Sequence, residues 1–378
     1  MNLDLTEEQE MLRTSARDFL TKECPKTLVR KLEEDKKGYS PELWRKMADL
    51  GWMGLVLPEQ YNGMGMGFMD LVILLQEMGR NILPGPFFST VVLGSLPILS
   101  AGTEEQKKEF LPKIASGQLI LTMAFTEPSA RYDAAGVKTK AVAQGDSFVI
   151  NGTKLFVENA HIADYVICVA RTEKGASPED GITLFLVDTK TSGIKCEVMP
   201  TIGADKLCEV VFKNVKVPKK NLLGKLNKGW PVVAKTLEHA TVAKCAEMVG
   251  GEEASMDMTL AYVKERVQYG RPIGSFQVIQ HYCANMWMNV ETSRDILYKA
   301  AYSVAEGLPA SATEVAIAKG WINEAYKFVT ERAMQCHGAI GTTRDHDIGL
   351  YYRRSKSSEL AFGDTDFYKE VVAQQMGL

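Results

Sequence analysis

The feature that most constrains this chain is a change of hydrophobic period, from helical to β and back to helical. Leu12, Ala16, Phe19 and Leu20 recur at helical spacing behind Thr6-Glu7-Glu8-Gln9, a threonine cap with glutamine at the third helical position. Gly102-Thr103-Glu104-Glu105-Gln106 repeats that capping logic, and breaker-rich turns at 57–63 and 83–86 separate helices in between. The helical part ends near Ser116-Gly117. From about Ile120, short β-rich runs take over at 147–150, 154–157, 165–170, 182–187 and 210–217. Asn151-Gly152 predicts a tight hairpin between the first two, because both residues tolerate positive φ. No helical segment separates these runs, so the expected sheet is antiparallel, as a sandwich or small barrel. After Gly229 the helical period returns at about 231–268, 275–306 and 311–336. Ser311-Ala312-Thr313-Glu314 reads as another capping box, and Gly307-Leu308-Pro309 as a stop.

The expected fold is therefore α+β: an N-terminal helical domain over 1–118, a central antiparallel β domain over 119–226 and a C-terminal four-helix bundle over 227–378. A chain of 378 residues with 46% hydrophobic and 24% charged side chains can bury several cores, which excludes disordered and fibrous classes. Its 44 basic and 47 acidic residues leave a net charge of −3, so nothing global points to nucleic acid. No apolar run reaches the roughly 18 to 20 residues of a membrane span. The opening MNLDLTEEQE is acidic and amphipathic rather than a signal peptide, so the mature chain is expected to start near Met1 and to be cytoplasmic. Cys24, Cys168, Cys196, Cys208, Cys245, Cys283 and Cys336 are odd in number and lack a CxxC pair, which fits reduced core thiols. His281 with Cys283, or Cys336 with His337, lacks the second half a metal site needs, so no metal is expected.

Met123-Ala124-Phe125-Thr126-Glu127-Pro128-Ser129-Ala130 resembles the Thr-Glu-Pro signature of the acyl-CoA dehydrogenase family. Arg266-Val267-Gln268-Tyr269-Gly270-Arg271-Pro272-Ile273, with Phe276-Gln277-Val278-Ile279-Gln280, resembles its flavin-diphosphate segment. Gln335-Cys336-His337-Gly338-Ala339-Ile340-Gly341 resembles its later glutamine-glycine loop, and 51–65 its amino-terminal glycine turn. The four motifs stand in order on an α–β–α layout that covers essentially the whole chain. The resemblance implies FAD, which needs hydrogen bonds at its polar edge, a flat apolar wall, and cationic and amide donors at its diphosphate. It assigns ring contacts to Phe125 and Thr126, the wall to Phe156, and a place near the reactive nitrogen to Glu158. Arg266, Gln268, Tyr269, Ile273 and Gln277 would meet the diphosphate side of a flavin shared with a neighbouring subunit, and Gln335 and Gly338 the adenine side. Asp364 belongs to the same expected set. Taken singly, Thr126 reads equally well as a turn residue, Arg266 as a solvated helix-end arginine, and Phe125 and Phe156 as core.

The resemblance also implies a carboxylate that takes the α-proton of a CoA thioester while the β-hydrogen leaves as hydride. Its usual place, in a Tyr-Glu-Gly-Thr stretch, here reads Leu360-Ala361-Phe362-Gly363-Asp364-Thr365-Asp366, with Phe362 where the glutamate stands. The alternative place, on the first long helix of the bundle, falls on Ala240, followed by Thr241. Asp364 and Glu158 remain as candidate bases; a cap for the helix beginning near Asp366 is the competing role for Asp364, and the resemblance puts Glu158 on the face away from substrate, which favours a structural or flavin-tuning role. Arg131 and Tyr132 stand where small residues usually flank the thioester arm, and Phe88, in Gly85-Pro86-Phe87-Phe88-Ser89-Thr90, is expected near the acyl end. With Phe362 these form the expected substrate contacts. The leading expectation is an FAD-dependent acyl-CoA dehydrogenase of β-oxidation-like catabolism, with a non-standard base and a cyclic or dicarboxylic acyl group. A base-less subunit of a heteromer, or a lyase or monooxygenase on the same fold, are the alternatives. The implied partners are an acyl-CoA, electron-transferring flavoprotein as acceptor, and further subunits in a homotetramer or heteromer.

Overall fold

A computed structural model describes residues 4–378; Met1, the expected start of the mature chain, lies outside them. The first third is helical: α1 (Glu7–Glu23), α2 (Lys26–Glu34), α3 (Pro41–Asp49), α4 (Phe68–Asn81), a π-helical segment (Phe88–Ser95), α5 (Leu96–Ala101) and α6 (Glu104–Ala115). Both expected capping boxes form: Thr6 Oγ1 accepts from the Gln9 amide at 3.3 Å and Thr103 Oγ1 from the Gln106 amide at 3.2 Å, with each glutamine bonding back.

The middle holds β1 (Leu121–Ala124), β2 (Lys140–Gln144), β3 (Ser147–Glu158), β4 (Tyr165–Arg171), β5 (Ile182–Asp188), β6 (Ile194–Val198), β7 (Leu207–Pro218) and β8 (Leu222–Leu223). They form one sheet in the order β6-β7-β3-β2-β4-β5-β8, with β1 also on β4. Phe148, Ile150, Val166, Cys168, Phe185, Val210 and Phe212 build its core. Three sequence expectations change here. The Asn151-Gly152 hairpin is absent: β3 runs straight through, and Asn151 instead accepts the Asn214 amide at 2.8 Å across a bulge. The sheet is mixed, because β1 and β2 run parallel to β4. And β1, β2, β6 and β8 were not among the five expected runs; β2 and β6 lie on exposed ground, where burial imposes no apolar alternation.

The last third comprises α7 (Trp230–Glu265), a hairpin of β9 (Val267–Gln268) and β10 (Arg271–Pro272), α8 (Gln277–Ala305), α9 (Ser311–His337), α10 (Ile348–Leu360) and α11 (Thr365–Gln375). The expected helix to 268 thus stops at Glu265, where the chain turns through Tyr269 and Gly270, both at positive φ. The Ser311 capping box does not form: the helix is entered at Ala310, and the Glu314 carboxylate accepts from Ser303 and faces Lys299 at 3.3 Å. Among the described residues no helix is long and apolar enough to cross a membrane.

The chain divides into two compact units, Met1–Lys31 with Gly67–Leu83 and Thr241–Leu378, and Leu32–Met66 with Pro84–Ala240. In the first, Gly79 and Gly250 let helices approach: a side chain on either would lie within about 2 Å of the opposing backbone carbonyl, at Glu247 and Gln76 respectively. The second holds the sheet, with the Trp44 indole donating to the Gly117 carbonyl at 2.8 Å.

Candidate active site

In the unit that holds the sheet, Phe125, Thr126, Phe156 and Glu158 come together on neighbouring segments. The Leu155 amide donates to the Thr126 carbonyl at 2.9 Å, which ties the Thr-Glu-Pro segment to β3. Beneath it lies a buried ion pair that the sequence reading missed. Lys154, with no exposed surface, donates to Glu127 at 2.8 Å and to the Phe125 carbonyl at 3.0 Å. Glu127 also accepts the Lys138 amide at 3.0 Å and the Thr139 amide at 2.9 Å. Burial alone would raise the Glu127 carboxyl, but the Lys154 charge and these hydrogen bonds hold it below its ordinary value. The available signal was a lysine inside a β run, close to a glutamate from a turn.

β3 carries one extra residue against β7 between Lys154, opposite Val210, and Val157, opposite Cys208. In a regular strand Lys154 and Phe156 would share a face. The bulge, with Phe156 at φ +55°, breaks the alternation, so Lys154 is buried while the Phe156 ring is 46% exposed. An exposed flat ring on the strand that also carries half-buried Glu158, tied through Leu155 to the segment of half-buried Thr126, suits an aromatic cofactor, and on that segment the Phe125 ring lies 6.2 Å from Trp230. Arg131 is exposed and clasps the Asp133 carboxylate at 3.0 Å; Tyr132 is half-buried. Phe88 is buried in the π-helical segment at 4% exposure, a core position.

In the other unit the hairpin after α7 presents Arg266, Gln268 and Tyr269 to solvent, Tyr269 at 92% exposure. The Tyr269 ring meets Phe276 edge-on at 6.1 Å, and the Arg271 guanidinium lies 4.2 Å over the same ring. Ile273 is half-buried and Gln277 opens α8. Gln335 and Gly338 close α9, where Gly338 is exposed at φ +61°. Taken within its own unit, this cationic and amide donor set has the chemistry a flavin diphosphate needs, as the exposed ring on β3 has, within the other unit, that of a wall for an isoalloxazine.

The loop at the usual base position is held firmly, with Phe362 where a proton acceptor is expected. Buried Lys319 donates to the Ser358 carbonyl at 3.0 Å and the Glu359 carbonyl at 3.2 Å, fixing the end of α10; burial lowers this ammonium to about 8. Phe362 follows at φ +60°, its carbonyl accepting from the Tyr368 hydroxyl at 2.7 Å; that hydroxyl also pairs with Thr241 Oγ1 at 3.1 Å. At Gly363, φ +128°, a side chain would lie 2.5 Å from the Tyr368 ring, so only glycine fits. Asp364 caps α11, accepting the Phe367 amide at 2.8 Å, and the helix starts at Thr365, one residue before the expected Asp366. Ala240 is fully buried.

The family description "Acyl-CoA dehydrogenase, N-terminal domain" matches residues 6–118, "middle domain" 122–215 and "C-terminal domain" 227–377. The chain belongs to the acyl-CoA dehydrogenase family. It is 34% identical to "Probable acyl-CoA dehydrogenase YngJ" of Bacillus subtilis, over all of both chains. Butyryl-CoA dehydrogenase from Megasphaera elsdenii has a similar solved structure, with a TM-score of 0.92 and 31% identity over 100% of each chain. The ChsE4-ChsE5 complex from Mycobacterium tuberculosis also contains a similar chain, with a TM-score of 0.91 and 25% identity over 100% of this chain and 99% of that one. Acyl-CoA dehydrogenases are FAD-dependent oxidoreductases, and this chain is a flavoenzyme of that type.

Proposed function

We propose that this protein carries out α,β-dehydrogenation of a CoA thioester, with the α-proton taken by a group at neither of the family's two usual positions. What supports the reading is a sequence that keeps the family's flavin motifs while its two usual base positions hold Phe362 and Ala240, neither of which accepts a proton. Bound FAD would supply the two-electron acceptor for the β-hydrogen. Phe125, Thr126 and Phe156 would bind and orient its ring, Arg266, Gln268, Tyr269, Ile273 and Gln277 its diphosphate, and Gln335 and Gly338 its adenine side. Arg131 and Tyr132 would flank the thioester arm. Asp364 is committed to the α11 cap, which speaks against it as base and as a flavin contact. Glu158 is the remaining candidate of this chain for moving the proton.

The burial of Phe88 favours a core role over recognition of a cyclic acyl group. Electron-transferring flavoprotein would accept the electrons, in a cytoplasmic homotetramer or heteromer. A second reading, in which another chain supplies the base, is favoured by the apolar groups at both base positions and by the likeness to a chain of a two-protein complex.

An anaerobic spectral titration of the FAD-loaded protein with straight, branched, cyclic and dicarboxylic CoA thioesters tests both. Bleaching of the visible flavin band with enoyl-CoA formed supports the first reading, and its loss in Glu158→Gln assigns the base. Bound flavin that no thioester reduces overturns it, and reduction restored by a co-purifying chain supports the second.

A further inference from the structure

Arg171, the last residue of β4, turns its guanidinium on four backbone carbonyls. Its Nε donates to Val137 at 3.0 Å, Nη2 to Ala134 at 3.0 Å and to Pro178 at 2.9 Å, and Nη1 to Asp180 at 2.7 Å. Two of these acceptors belong to the turn Ala134–Gly136 and the residue behind it, and two to the loop between β4 and β5, where 173–179 are exposed. Neither segment belongs to a strand, so its carbonyls have no sheet ladder to satisfy them. The same stretch is gripped from its donor side, because Glu127 accepts the Lys138 and Thr139 amides. Just ahead of it stand Arg131 and Tyr132. Asp133 caps the turn by accepting the Gly136 amide at 3.2 Å and also accepts from Arg131 Nε at 3.0 Å. A side chain on Gly136 would lie 2.9 Å from Arg131 Cβ, so the turn and that arginine pack against each other.

We propose that Arg171 is a positioning residue for the substrate loop: its guanidinium fork grips the turn behind Arg131 and Tyr132, holds both at the thioester arm, and couples them to the exposed loop at 173–179. What the loop meets rests on the dehydrogenation reading; what holds it rests on the hydrogen bonds alone. The shape of the group matters more than its charge. Guanidinium donors lie in one plane and point in several directions, so one side chain reaches four carbonyls from two segments, whereas a lysine ammonium has three donors on a single nitrogen. β4 itself is held by its ladders to β1 and β5, so loss of the fork frees the turn rather than the strand. An unanchored turn lets Arg131 and Tyr132 leave their places, which weakens thioester binding without altering the reacting atoms.

Hydrogen exchange and anaerobic flavin reduction over a range of CoA-thioester concentrations test this on the FAD-loaded full chain, in Arg171→Ala and Arg171→Lys. In Arg171→Ala, exchange should rise together in peptides covering 131–137 and 177–181 while β3 and β7 stay protected. The thioester concentration for half-maximal reduction should rise about tenfold, and by less in Arg171→Lys, with the limiting reduction rate and the visible flavin spectrum unchanged. Faster exchange confined to 177–181, or a lower limiting rate at unchanged half-saturation, overturns the proposal. So does a lysine variant equal to wild type in both readouts, since charge alone would then suffice. Arg171→Lys keeps the charge and most of the bulk, and it decides by the same readouts if the alanine variant does not fold. A wild-type flavin that no thioester reduces overturns the dehydrogenation reading instead, and exchange then decides alone whether Arg171 holds the loop.

Discussion

Glu127 in the β region and Glu252 in the helical bundle are both buried carboxyls, at 6% and 0% exposure, and the molecule treats them in opposite ways. Glu127 is ionised against Lys154 and holds two backbone amides, while Lys154 holds the Phe125 carbonyl. Glu252 sits on α7 facing Ser293 on α8, and neither its oxygens nor the serine hydroxyl has a hydrogen-bond partner. Burial raises this carboxyl well above its ordinary value and so favours its neutral form, whereas the surroundings of Glu127 favour the charged one. A buried charge is kept where it fixes the backbone of neighbouring segments, here those that carry Phe125 and Thr126. The buried acid that fixes nothing is pushed toward its neutral form.

The largest test of this contrast is Lys154→Met, which strands Glu127 as an unpaired buried charge. It should lower unfolding stability by about 3–5 kcal/mol in a urea titration. A loss below about 1 kcal/mol would place the pair among ordinary surface ion pairs. Glu252→Met removes an unsatisfied group and should raise stability by about 1–3 kcal/mol at neutral pH. The two acids also give opposite pH limbs. Glu127, lowered on folding, contributes stability that is present above about 4.5, the ordinary glutamate value, and is lost as pH falls through its folded value. Glu252, raised on folding, contributes most below 4.5 and loses its contribution as pH rises through its folded value. Urea midpoints followed against pH should therefore lose their upper limb in Glu252→Met and keep their acid limb. The smallest effect belongs to Asp364→Ala, about 1 kcal/mol from the lost α11 cap. Thioester-driven flavin reduction should be unchanged in that variant; a collapse of reduction with stability intact would make Asp364 the base.

The three-block order of elements was legible because each block keeps one hydrophobic period over many residues. The caps at Thr6 and Thr103 were legible because both partners of each box are local in sequence. Ser311 misled because the cap is decided by where the chain enters the helix, and Glu314 has nonlocal partners at Ser303 and Lys299. The Asn151-Gly152 dipeptide misled for a related reason, since β7 supplies a bulge there that lets the strand continue. At the site, Phe125, Thr126 and Phe156 were readable as a motif. Lys154 was not, because the bulge moves it to the face opposite Phe156, and Tyr368 was not, because its hydroxyl partners are set by the loop rather than by spacing.

The single extra residue of β3 between Lys154 and Val157 makes this stretch sensitive to length rather than to composition. Point changes at Leu155 or Phe156 alter one side chain. Removal of one residue would restore strict alternation and exchange inside for outside, carrying the lysine toward solvent or the aromatic into the core. Loops usually absorb length variation; here a frame-preserving deletion of one codon should be purged more strongly than nearly any substitution in the same segment.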